Sequence, residues 1–182
     1  MKIKLFMWLV YHRKILTWDN IKKRGVLGPS RCLLYGEQEE TMEHLLNNRI
    51  FTSWLWDIFA KIFQQSDRDK GSIINTLNSW MGNFSDYEIP NSAWALTPSF
   101  IICNVWKGIN KRTFKEEKNP PYSLFETILK QLKETVGTTV SNHPNNPPSD
   151  LDGKIARQLG LQGLTPQGLN RKVIARDMEK DF

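Results

Sequence analysis

Cysteine is scarce: Cys32 and Cys103 are the only two in 182 residues, too few for a disulfide framework, so a reducing compartment is expected. No apolar run approaches the roughly 20 residues that a membrane span needs. The opening MKIKLFMWLV is followed by Tyr11, His12, Arg13 and Lys14 rather than a cleavage site, so no membrane partner is expected. The protein is read as soluble and intracellular, nuclear or cytoplasmic. No internal repeat occurs, and no alternation longer than a few residues supports a sheet. A Gly-rich phosphate loop and a paired-aspartate polymerase motif are both absent, and His12, His44 and His143 show no local nucleophile arrangement. The acids lie in the 37–43 run or in loops, with Asp150 and Asp152 beside a Pro-rich stretch. Two-metal chemistry needs converging carboxylates, so the chain is expected to be no enzyme and to take no small-molecule substrate.

Aromatic residues are plentiful by contrast, with seven Trp and nine Phe to fill a core. The net charge is +6, and its distribution says more than its total. Residues 1–36 hold eight Lys/Arg against the single acid Asp19, and the remainder is nearly balanced. A basic segment interleaved with Phe6, Trp8, Tyr11 and Trp18 has the composition of a surface that meets phosphate backbones. A solvated cationic face is the competing reading.

Helical periodicity organises most of the chain. Leu5, Trp8, Leu9 and His12, with Phe6 and Val10 beside them, predict an amphipathic helix over 4–14. Thr17 stands at an N-cap position and Gly25 at the C-terminal end of a second helix over 18–24. Phe51, Leu55, Ile58, Phe59 and Ile62 mark a core helix over 50–65, and a shorter pattern spans 72–81. Ile102, Trp106 and Ile109 place a helix over 93–114, which Pro98 is expected to start or kink. Phe125, Ile128, Leu129, Leu132 and Val136 form the cleanest stripe. SNHPNNPP over 142–149 reads as a linker, and 150–182 as a mobile tail with weakly determined helices. The expected fold is mainly α: short helices around a knuckle-like loop in 1–65, a helical extension over 66–141, and the linker and tail over 142–182.

The informative stretch is Cys32-Leu33-Leu34-Tyr35-Gly36, then Glu40-Thr41-Met42-Glu43-His44-Leu45-Leu46 and Arg49-Ile50-Phe51. With Lys4-Leu5-Phe6-Met7-Trp8, Leu16-Thr17, Asn20 to Gly25 and Leu55-Trp56, it resembles the reverse transcriptase zinc-binding domain of plant LINE-type (non-LTR) retrotransposons. A more diffuse likeness covers 94–136, including Val105-Trp106-Lys107 and Asn110 to Phe114. Because the chain opens almost on the K-x-F-x-W motif, the resemblance implies that upstream family sequence is missing.

The resemblance implies four zinc ligands spaced C-x2-C-x8-H-x4-C, which would close a tetrahedral shell. Only Cys32 and His44 match, because Tyr35 and Arg49 hold the other two positions. A guanidinium cannot be deprotonated and a phenol is a poor substitute for thiolate, so the pair is read as vestigial. No cofactor is expected, or zinc at most and weakly, although Glu37, Glu39 or Glu40 could replace a lost thiolate. Cys32 as a small buried hydrophobe and His44 as a hydrogen-bonded helix residue is the competing reading. The expected function is therefore non-catalytic binding of RNA or single-stranded DNA, with Lys14, Lys22, Lys23, Arg24 and Arg31 on phosphates. The alternative is a remnant, or a helical interaction module, that binds no nucleic acid.

Overall fold

Apolar residues recur at the helical period in nearly every described segment, and helices form there. The computed structural model describes residues 2–28, 39–65, 69–82, 84–86, 88–115, 121–139 and 149–161. In order come α1 (Ile3–Tyr11), α2 (Trp18–Lys22), a π-helical turn (His44–Asn48), α3 (Ile50–Ile62), α4 (Ile73–Ser79), α5 (Glu88–Lys115), α6 (Pro121–Thr139) and α7 (Asp150–Gln158). The fold is mainly α, with no strand among the described residues.

The α5/α6 pair is the scaffold. Gly108 lies against Leu124 while the Asn104 side-chain amide donates to Gln131 Oε1 at 2.7 Å, so the two helices run antiparallel. Proline opens α6 at its first position, where no backbone donor is missed. The predicted stripe of α6 faces inward as expected: Phe125, Ile128, Leu132 and Val136 are buried and Leu129 is partly so. The rings of Trp54 and Phe59 on α3 lie 6.1 and 5.5 Å from Phe125, and Phe6 on α1 meets Trp106 at 5.8 Å. Farther along α5, Trp94 stacks on Trp80 at 4.1 Å, with Phe63 edge-on to both. One continuous core therefore draws residues from the N-terminal helices, the hairpin and α7. Cys103 belongs to it, and burial pushes its thiol up to about 11, which keeps it protonated packing material.

Several expectations need correction. The 4–14 helix stops at Tyr11 and the 50–65 helix at Ile62, because each closes through a left-handed residue that is not glycine. Arg13 has φ 53° and Gln64 φ 51°. Lys14 N–H reaches back to Leu9 C=O at 2.8 Å, and Gln65 N–H to Ala60 C=O at 2.8 Å, each satisfying a terminal carbonyl. The face of α1 is also shifted: of the expected stripe only Leu9 packs against the core. Phe6 and Val10 point into the core, whereas Leu5, Trp8 and His12 look outward.

Pro98 neither starts nor ends α5 but lies within it. Proline inside a helix costs about 3 kcal/mol. Burial of Ile89, Ala93, Trp94 and Thr97 on the N-terminal side outweighs that cost and carries the helix through. The mobile tail does not begin at 150. Ser149 and Asp152 form a reciprocal capping box, and Asp152 also accepts a hydrogen bond from Ser85 Oγ at 2.7 Å. Ile155, Ala156, Leu159 and Leu161 then bury against the core. The remainder of the predicted tail, 162–182, and most of the predicted linker lie outside the described residues.

Candidate metal centre and nucleic-acid interface

The stretch that carries the ligand-like residues is bracketed by α2. It leaves at Gly28, where a Cβ would come within 2.6 Å of the Trp18 indole, so the close approach requires glycine. It returns at Glu40, whose carbonyl accepts from Asp19 N–H at 3.3 Å and whose carboxylate accepts from Trp18 N–H. Glu40 thereby caps α2 from across the fold. Thr17 occupies the N-cap position but turns its hydroxyl to the Asp19 carboxylate instead. Arg31, Cys32 and Tyr35 lie outside the described residues.

His44 opens the π-helical turn and Arg49 follows it. The turn frees carbonyls that a regular helix would satisfy, and α3 supplies donors for two of them. Thr52 Oγ1 donates to Leu45 C=O at 3.0 Å and Trp56 Nε1 to Leu46 C=O at 2.9 Å. On the other side Asn47 Nδ2 donates to the Asp69 and Lys70 carbonyls at 3.0 and 3.2 Å, which docks the turn on the entry to α4. His44 and Arg49 are thus held by a hydrogen-bonded frame.

Their electrostatics oppose each other. Arg49 is buried at 5% exposure, and its side chain begins at the N-terminal end of α3, where the dipole disfavours a cation. His44 is half-buried with Nε2 unpartnered, and burial first, then the Arg49 charge, hold its pKa below the ordinary 6.5. Glu40 is shifted the other way: burial and Asp19 raise its pKa, against the Trp18 N–H and Arg49, which lower it. An unfolded chain accepts a proton at His44 more readily than the folded one, so His44 favours folding above pH 6.5 and loses that contribution as pH falls below it. Glu40 works oppositely, gaining as pH falls towards its own range. Denaturant midpoints between pH 8 and 5.5 are expected to fall on acidification in the parent and to flatten in His44→Gln. An unchanged slope in that variant would count against this assignment.

The cationic residues lie around the α1–α2 junction. Asn20, on α2, donates from Nδ2 to the Arg13 and Ile15 carbonyls at 2.8 and 2.9 Å, either side of Lys14. Its Oδ1 accepts from Lys23 Nζ at 3.3 Å, so Lys14 and Lys23 flank one buried amide. Lys22 and Arg24 are exposed on either side of Lys23. Part of the charge is answered within the fold: Arg13 pairs with Glu43 at 2.5 Å, Lys22 with Glu39 at 3.9 Å, and Lys23 with Asp19 at 3.9 Å. Exposed pairs of this length contribute about 0–1 kcal/mol, little enough for a phosphate to displace the acid. Sequence reasoning missed Glu40 and Asn20 as organisers of this corner, since nothing local marks either residue.

A four-position knuckle pattern, two of its positions flanking a rigid turn beside a basic corner, now has a counterpart. Residues 1–56 match the family described as zinc-binding in reverse transcriptase. No curated protein and no solved structure matches the chain. The family match covers α1, α2, the π-helical turn and the first part of α3, ending on Trp56, which holds that turn. Residues 1–56 are thus similar to a zinc-binding region of reverse transcriptase.

Of the two ligand-like positions that the structure describes, His44 offers zinc a donor and Arg49 does not. A buried, unpartnered imidazole nitrogen at His44 is the state of a ligand open to metal. Beside it, however, Arg49 puts a desolvated positive charge where a thiolate would stand. Tyr35 holds another of the four positions with a phenol.

Proposed function

We propose that this chain is a non-catalytic, retrotransposon-derived fragment of the plant LINE type that binds RNA or single-stranded DNA without sequence preference. The observation that carries it is Asn20, which ties the backbone on either side of Lys14 to α2, beside Lys22, Lys23 and Arg24, within residues matched to a zinc-binding region of reverse transcriptase. Arg31 continues the same basic segment. Binding requires neither zinc nor a catalytic step: the lysines and arginines displace counterions from phosphates. No helix among the described residues is long and apolar enough to cross a membrane. A nuclear or cytoplasmic location follows from a nucleic-acid partner.

Mobility shifts of a labelled single strand at several salt concentrations test this reading. Five phosphate contacts predict a slope of log affinity against log salt of about −3.5, at about −0.7 per contact for single strands. Lys22→Gln/Lys23→Gln/Arg24→Gln is expected to lower that slope by about two and to weaken binding at least tenfold at low salt. Absence of binding at low salt, or binding insensitive to salt, would leave the remnant reading in its place.

A further inference from the structure

We infer that the outward face of α1 is a stacking platform for unpaired bases, with Trp8 as its central surface. The inference rests on the nucleic-acid reading above and names the class of ligand it selects: single strands rather than duplex.

The K-x-F-x-W run divides its aromatics between two tasks. Phe6 anchors α1 to the core at 1% exposure, whereas Trp8, two residues on, faces away from it at 49%. The helix turns by about 100° per residue, which puts Lys4, Trp8, Tyr11 and His12 on one outward stripe with Leu5 at its edge. All five are exposed. The His12 ring packs beside the Trp8 indole with centroids 4.4 Å apart, and Lys14 Nζ lies 5.4 Å from the Trp8 ring centre. The aromatic surface is therefore ordered by its neighbours and rimmed by cations. Trp56, Trp80 and Trp94 are buried, and Trp54 and Trp106 pack against the core.

An exposed aromatic face alone would suit a protein partner equally well, and charge separates the two. No acid occurs from Lys2 to Trp18, a stretch that holds Lys2, Lys4, Arg13 and Lys14. Glu43 is engaged with Arg13, as Glu39 and Asp19 are with Lys22 and Lys23. A flat indole with Lys14 at its ring and Lys4 on the same stripe matches a base and its flanking phosphates. On binding, a base covers the indole, and Lys14 exchanges the ring for the adjoining phosphate. Duplex bases are already stacked and cannot occupy this surface, so discrimination follows from geometry rather than hydrogen-bond readout.

The test uses the full chain and fluorescence anisotropy with a labelled 15-nucleotide oligo(dT) and a hairpin duplex of similar charge. Trp8→Ala is expected to lose about tenfold in affinity for the single strand, with an unchanged salt slope and unchanged duplex binding. Trp8→Phe is expected to recover most of the loss. Trp8 lies on the surface, so a thermal melt matching the parent certifies both variants. If the parent binds with the predicted salt slope and Trp8→Ala binds the single strand equally well, the platform is overturned and the electrostatic reading stands. Equal losses on single strand and duplex also overturn it. A parent that binds neither probe at low salt removes both.

Discussion

Zinc is expected to bind stoichiometrically to a Tyr35→Cys/Arg49→Cys double variant and not tightly to the parent. The double substitution completes the C-x2-C-x8-H-x4-C spacing that the domain's family match gives reason to restore. Burial, which holds His44 below its ordinary pKa more than the Arg49 charge does, remains in the variant and leaves the half-buried imidazole neutral at pH 7. A closed thiolate-rich shell is worth about 10–16 kcal/mol in small zinc domains. Chelator should therefore lower the melting temperature of the variant and leave that of the parent unchanged. Metal analysis after gel filtration, beside melts with and without chelator, checks both halves. Tight stoichiometric zinc in the parent would show that Tyr35 and Arg49 had not disabled the centre. Each single variant restores only three of the four positions and is expected to bind far more weakly than the double.

What the sequence made legible follows from where the chemistry is local. The stripe of α6 and the core positions of α3 repeat at 3.6 residues, and burial follows them. Helix ends were illegible where the closing residue carried no signal: Arg13 and Gln64 adopt the left-handed conformation that glycine would have announced. On α1 both faces are apolar, so periodicity found the helix but not the side that sinks. Phe6 and Val10 win because Trp106 on α5 offers Phe6 a ring to pack against, a contact no window of sequence contains. Pro98 misled for the same reason, since burial at distant positions outweighs a local penalty. At the site, the density of basic residues was visible as composition. Its partial neutralisation was not, because Glu43 reaches Arg13 across 30 residues of chain. That Tyr35 and Arg49 stand at two of the implied ligand positions came from the family resemblance, not from composition or periodicity. The desolvation of Arg49 and the role of Glu40 in capping α2 required the fold.

Truncating Trp56 to alanine is expected to destabilise the chain by about 3–5 kcal/mol, a large share of the about 5–15 kcal/mol that holds a typical domain folded. Trp56 is fully buried, 6.1 Å from Trp80, at the place where α3 meets the aromatic cluster. Trp56→Phe separates packing from hydrogen bonding: it keeps a ring but strands the Leu46 carbonyl, a loss of about 1–3 kcal/mol. Thr52→Val does the same at Leu45 with little change of shape. Because both carbonyls belong to one π-helical turn, the losses should not add. Once either bond is gone the turn can relax towards regular helix, and the second substitution then costs less. The turn also fixes His44 and Arg49 at its two ends, so the same variants are expected to shift the acid limb of the stability profile towards that of His44→Gln. Urea midpoints of the four chains at pH 8 and 5.5 resolve this. Additive losses with an unchanged acid limb would mean that Thr52 and Trp56 merely pack, and that the turn persists without them. Coupled losses with a flattened limb would place the stability of this corner in the two side chains of α3 that hold the turn, independent of any metal.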